Sequence, residues 1–126
     1  MKAEGIALVT GASRGIGRAI ATELAQRGFD VIASMRDPAA GKDLPSHAGK
    51  GTIEVRRLDV TKPETIEIPK QLRVLVNNAG VEGPHLPVES APIELWREMF
   101  ETNLFGLIEV TRRAIPALRQ AKGSVL

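Results

Sequence analysis

Apolar positions fall in short runs separated by stretches of helical periodicity. Residues 6–10 (IALVT) form a brief apolar run stopped by glycine, the pattern of a buried strand. Residues 18–27 place Ile20, Ala21, Leu24 and Ala25 on one helical stripe, and Gly28 supplies a C-terminal stop. A second buried strand is predicted at 30–35 (DVIASM), followed by a loop with Asp37, Pro38 and Gly41. Residues 51–60 (GTIEVRRLDV) alternate and then turn apolar, predicting a third strand; residues 74–77 (VLVN) predict a fourth. Between those two, Pro63 and Pro69 bound a segment with room for only about one or two helical turns.

Beyond a loop rich in Pro and Gly (81–92), Ser90 is placed to cap a helix that has Pro92 near its first turn. An amphipathic segment then runs to about residue 120. Leu104, Leu107, Ile108, Thr111, Ile115 and Leu118 recur in it at steps of three and four, which gives one apolar stripe. Pro116 lies inside this pattern and is expected to kink it or weaken its last turn. The closing GSVL (123–126) opens like a fifth strand. Strands alternating with helices imply an α/β fold: a doubly wound parallel sheet that binds ligands beyond the carboxyl ends of its strands.

Composition narrows the functional classes. A chain of 126 residues is one domain's worth. A formal charge of +2, with basic and acidic residues interleaved, gives no footprint for nucleic acid. The start (MKAEGIALV) has an acidic residue and too short an apolar run for a signal peptide. No later stretch is long enough for a bilayer span, so neither a membrane partner nor a leader is expected and a cytoplasmic location is the default. There is no cysteine, hence no disulfide framework and no thiolate metal site. His47 and His85 lack metal-ligand partners at a useful spacing, so no metal is expected. There is also no tyrosine.

The chemistry concentrates where the first strand ends. Gly11, Gly15 and Gly17 follow it in the spacing G-x-x-x-G-x-G and lead straight into a helical pattern. Gly11 allows a sharp turn, and the other two let the backbone approach a ligand and the helix pack against the strand. The helix N-terminus presents unpaired N–H groups and partial positive charge, which is a phosphate site. Any tight strand-to-helix turn could use such glycines, but after the first strand of an alternating pattern they point to a nucleotide.

TGASRGIG (10–17), LDV (58–60), NNAG (77–80) and the asparagine of ETNLFG (101–106) together resemble the short-chain dehydrogenase/reductase family, in that family's order and near its spacing. The resemblance covers the whole chain. It implies a Rossmann-type fold that binds NAD(H) or NADP(H) and moves a hydride between nicotinamide and a carbonyl or alcohol carbon of a small molecule. It also implies a cofactor site at Gly11, Ser13, Arg14, Gly15, Ile16, Gly17, Arg36, Asp59, Val60, Asn78, Ala79 and Gly80. Asp59 would bind the adenine amino group, the Val60 backbone would border the ring, and Asn78 would contact the ribose region. Asn77 is expected to tie strands together. Asn103 matches the family's catalytic asparagine, which helps hold a water connected to the catalytic lysine.

Arg36 lies about 20 residues past the glycines, where the adenosine ribose is read in such folds. A carboxylate there would accept from a 2′-hydroxyl; a guanidinium would hold a 2′-phosphate through paired donors. NAD-preferring members resemble one another in an aspartate at the last strand residue, where this chain has Met35. The pair Arg14 and Arg36 resembles NADP-preferring members, so NADP(H) is expected ahead of NAD, with Asp37 an adjacent charge of the wrong sign.

The family's catalytic serine, tyrosine and lysine follow the fifth strand. Ser124 belongs to that strand, and no tyrosine is present. The chain is therefore expected to be the N-terminal cofactor-binding portion of a longer enzyme, with residues 1–126 a truncated NAD(P)-binding domain. Its apolar helix face at 103–120 and one sheet edge would be left exposed. That helix resembles one of the pair forming the family's dimer contact, which implies a homodimer or homotetramer for the complete protein. Two other readings stay open: a non-catalytic dinucleotide-binding module, and an inactive fragment. The short link between the third and fourth strands departs from the family, many of whose members carry a longer helix there.

Overall fold

A computed structural model describes residues 2–126. Five parallel strands, β1 (Ile6–Val9), β2 (Asp30–Met35), β3 (Thr52–Arg57), β4 (Val74–Val76) and β5 (Ser124–Val125), form one sheet in the order β3-β2-β1-β4-β5. Three helices accompany them: α1 (Gly15–Arg27), α2 (Ile93–Phe100) and α3 (Leu107–Ala121). The chain crosses from β3 at one edge to β4 on the far side of β1, so the connections leaving β1 and β4 diverge. A crevice opens at the carboxyl ends of those two strands, where doubly wound sheets bind ligands.

Side chains alternate across the pleat, and each face has its own core. Ala7, Val9, Val31, Ala33, Val74 and Val76 face α1 and pack with its Ala21 and Ala25. Leu8, Ile32 and Leu75 point the other way, against Val110, Ala114, Ala117 and Leu118 of α3. The outer strand β3 departs from the apolar runs usual in parallel sheets. Ile53 and Val55 join the α1 side, while Glu54 and Arg56 between them pair with each other at 2.9 Å. The connection out of β3 explains this. It contains a single 3-10 turn (Pro63–Thr65) in place of a helix, so the outer part of that face is left to a charge pair.

Other elements refine the sequence reading. The helix predicted from residue 18 begins at Gly15. Two 3-10 turns, Pro38–Gly41 and Leu44–His47, fill the loop after β2, and Arg18 of α1 holds that loop through Asp43 at 2.6 Å. Ser90 does not cap α2: it ends a 3-10 turn (Val88–Ser90), and Pro92 stands at the cap position without a side-chain hydrogen bond. The amphipathic segment is three pieces, with a π-helical stretch (Glu101–Gly106) between α2 and α3.

The helix carries two apolar stripes where periodicity indicates one. Val110, Ala114, Ala117 and Leu118 meet the sheet; Leu104, Leu107, Ile108 and Ile115 are exposed. Small alanines allow close approach to the sheet, so the weaker-looking stripe is the buried one. Pro116 does not end α3, which continues to Ala121. The last turn is held instead by Gly123 N–H donating to Leu118 O at 2.8 Å and by the Arg73 guanidinium donating to Ala121 O at 2.9 Å. Among the described residues no helix is long and apolar enough to cross a membrane.

Candidate dinucleotide site

A cleft of about 310 Å³ lies over the crevice. Its floor is the turn after β1. Gly11 has φ +64 and Gly15 φ +59, left-handed values that disfavour any side chain. A Cβ on Gly11 would also come within 2.8 Å of Ala79 Cα, whereas one on Gly15 would meet nothing within 4 Å and would project into the opening. Gly17 does not line the cleft. It is buried, and a Cβ there would collide with Asn78 Nδ2 and the Gly11 carbonyl, so this glycine brings α1 against the end of β4.

Three hydrogen bonds join the glycine turn to NNAG. The Thr10 hydroxyl accepts from Asn78 N–H and Ala79 N–H, both at 3.0 Å, and Asn78 Nδ2 donates to Gly11 O at 2.9 Å. Thr10 is 1% exposed, so these bonds are screened from water. Asn77 continues the β4–β5 ladder, its N–H donating to Leu126 O at 2.9 Å, and its side chain ties β4 to α3 by donating from Nδ2 to Thr111 Oγ1 at 3.0 Å.

Unpaired donors and positive charge gather at the start of α1. Arg14 occupies the cap position with extended backbone and offers no capping side chain; the first turn contains no acidic residue. Its N–H groups therefore have no side-chain acceptor, and their partial charge faces the cleft. Arg14, Arg36 and Asp59 are the charged residues in the lining. Among the described residues no carboxylate lies within salt-bridge distance of either arginine. Asp37 is turned to local use: its Oδ1 accepts from Ala39 N–H at 3.0 Å and caps the following 3-10 turn.

At the other end of the cleft Asp59 and Val60 form a wall. Partial burial pushes the Asp59 carboxyl up. Hydrogen bonds from the Thr61 hydroxyl and N–H, with the positive charges of Arg36 and Lys62, outweigh it and hold the group below the ordinary aspartate range. Val60 packs on Gly106, where a Cβ would come within 2.8 Å of Val60 Cβ. Asn103 lies outside the lining, and its carboxamide makes a pair of hydrogen bonds to one backbone residue. Oδ1 accepts from Val81 N–H at 2.7 Å and Nδ2 donates to Val81 O at 2.8 Å, so the π-helical stretch pins the strand exit that edges the cleft.

Eleven of the predicted cofactor residues thus converge on one cleft: Gly11, Ser13, Arg14, Gly15, Ile16, Arg36, Asp59, Val60, Asn78, Ala79 and Gly80. Residues that shape it without being singled out in the sequence are Thr10, Thr61, Thr65 and Gly106. Glycine within a quoted motif was the only signal for the last. Thr10 likewise lay within such a motif, whereas Thr61 and Thr65 gave no signal, because a hydroxyl's partners become visible only in three dimensions.

Residues 5–126 match the family profile described as short chain dehydrogenase. The chain belongs to that family. Mouse estradiol 17-beta-dehydrogenase 2 is 38% identical over 134 residues, covering 94% of this chain and 34% of the relative. Among solved structures, an alcohol dehydrogenase from the archaeon Thermococcus sibiricus, complexed with 5-hydroxy-NADP, superposes with a TM-score of 0.87 at 27% identity. The match covers 97% of this chain and 56% of that one. A closed form of serine dehydrogenase complexed with NADP+ gives 0.85 at 32% identity, covering 95% and 52%. This short-chain dehydrogenase chain spans about a third to a half of the length of the curated relatives it matches.

Proposed function

We propose that residues 1–126 form the dinucleotide-binding part of an NADP(H)-dependent oxidoreductase that acts on a carbonyl or alcohol carbon of a small molecule. The observation that carries the cofactor choice is the pair Arg14 and Arg36, two guanidiniums on one cleft with no carboxylate within salt-bridge distance among the described residues. Buried Met35, at the end of β2, offers no carboxylate to accept from a 2′-hydroxyl. Asp37, the adjacent charge of the wrong sign, has one carboxylate oxygen held by the Ala39 N–H.

The residues fit such a cofactor. The uncapped α1 N-terminus and the glycine turn would hold the pyrophosphate, Arg14 and Arg36 the 2′-phosphate, Asp59 and Val60 the adenine, and Asn78 the nicotinamide-side ribose. The bound dinucleotide supplies or accepts the hydride. Asn103 holds the Val81 backbone in place at the edge of that site. This polypeptide has no tyrosine to donate a proton, so it is expected to bind nucleotide without turning a substrate over by itself. The exposed stripe on α3 supports a homodimer or homotetramer for the complete protein.

Fluorescence titration tests the assignment. NADPH is expected to bind more tightly than NADH, and Arg36→Ala to weaken NADPH by about tenfold while barely moving NADH, as for loss of a charge-assisted hydrogen bond. Equal affinity for the two nucleotides, or an unaffected R36A variant, overturns NADP(H) preference.

A further inference from the structure

The link from β3 to β4 holds a hydrogen-bonded ring built on Thr65. Among the described residues it contains one 3-10 turn and no α-helix, so no helix N-terminus receives the end of β3. A threonine side chain does so instead. Thr65 Oγ1 accepts from Asp59 N–H at 2.8 Å and lies 3.0 Å from Asp59 O and 2.8 Å from Lys62 O, to either of which its single proton can be donated. The backbone closes the same ring: Lys62 N–H donates to Asp59 O and Thr65 N–H to Lys62 O, both at 2.9 Å. Arg113 of α3 donates to Pro63 O at 2.9 Å and holds the turn from outside.

This ring sets the direction of the Asp59 side chain. With the main chain of residue 59 fixed on both its N–H and its C=O, Thr61 takes one carboxylate oxygen, Oδ1, through its N–H at 2.9 Å and its hydroxyl at 2.7 Å. Among the described residues Oδ2 receives no hydrogen bond, while Asp59 lines the cleft. A cleft-lining carboxylate with one oxygen anchored and the other unbonded can accept from a donor held in that cleft, and the exocyclic amine of adenine is such a donor.

We propose that Thr65 is a positioning residue for base recognition: its hydroxyl clamps the Asp59 backbone so that the free carboxylate oxygen selects a 6-amino purine over a 6-oxo purine. The inference rests on the reading of Asp59 as the adenine contact and assigns its selectivity to a residue of the shortened link.

The probes are NADPH and its hypoxanthine analogue, which carries a carbonyl in place of the amine, titrated by fluorescence against the intact chain. The wild type is expected to prefer NADPH by about tenfold or more, the size of a hydrogen bond to a charged acceptor. Thr65→Val and Thr65→Ala are expected to reduce that ratio to below about threefold, and Thr65→Ser to restore it. The ratio is the informative readout, because general damage to the turn weakens both nucleotides together and leaves it unchanged. A wild type without preference overturns the Asp59 reading and the inference with it. A wild-type preference that T65V and T65A both retain, whatever their absolute affinities, overturns the inference alone.

Discussion

At the scale of single residues, hydroxyls organise this cleft as much as glycines do. Thr10 Oγ1 serves two backbone N–H groups of the NNAG turn from a buried position. Thr10→Val keeps the shape and leaves those donors without an acceptor, which costs about 1–3 kcal/mol. A lowered denaturation midpoint and weaker NADPH binding are expected, with Thr10→Ser near wild type in both. Asp59 adds a pH dependence. Its carboxyl is held below the ordinary value, so the folded state gains from the ionised form above about pH 4, the unfolded aspartate value. That gain is lost as pH falls from there through the lower folded value. Asp59→Asn is therefore expected to flatten the acid limb of a stability-versus-pH curve, and an unchanged limb would refute the account.

At the scale of elements, the π-helical stretch links α3 to the site. It puts Asn103 against the Val81 backbone and Gly106 against Val60, two clamps within one segment. In Gly106→Ala the new methyl must displace Val60 toward the cleft or push the helix off the sheet. Overpacking of this kind costs about 1–3 kcal/mol, and nucleotide affinity is expected to fall with the thermal midpoint.

This segment also marks where sequence reading stops. Runs such as IALV and DVIASM declare strands because both faces are buried, and the glycine turn is legible because its residues answer to local backbone needs. The extra residue of a π turn leaves no mark in a pattern of threes and fours. Ser90 has the right chemistry for a cap, but the 3-10 turn ends on it and Pro92 takes the cap position. The site was legible where it consists of backbone and charge, at the glycines, Arg14, Arg36 and Asp59. It was illegible where one side chain holds another's main chain, as at Thr65.

At the scale of the whole molecule, α3 is apolar on more of its circumference than one sheet face covers. Its sheet-facing stripe is complete, with Val110 and Ala114 fully buried, yet Ile108 is 45% and Ile115 37% exposed. Leu104, Phe105 and Leu107 extend that second surface, and Trp96 and Phe100 of α2 add exposed aromatic area nearby. Removing such a surface from water favours association roughly in proportion to the area covered. Glu109 is paired with both Arg112 at 2.9 Å and Arg113 at 2.7 Å, so its carboxylate presents no unpaired negative charge to a second copy. The chain is therefore expected to self-associate with rising concentration, and high salt should not reverse it, because the driving area is apolar. Ile108→Glu combined with Ile115→Glu should return it to a monomer in sedimentation measurements. Both positions lie off the sheet-facing stripe, so the thermal midpoint of the variant at high dilution should stay close to that of the wild type. Dissociation by salt alone would instead place the contact on the charged residues, and association that persists in the double variant would place it elsewhere on the surface, with the exposed edge of β5 the next segment to test.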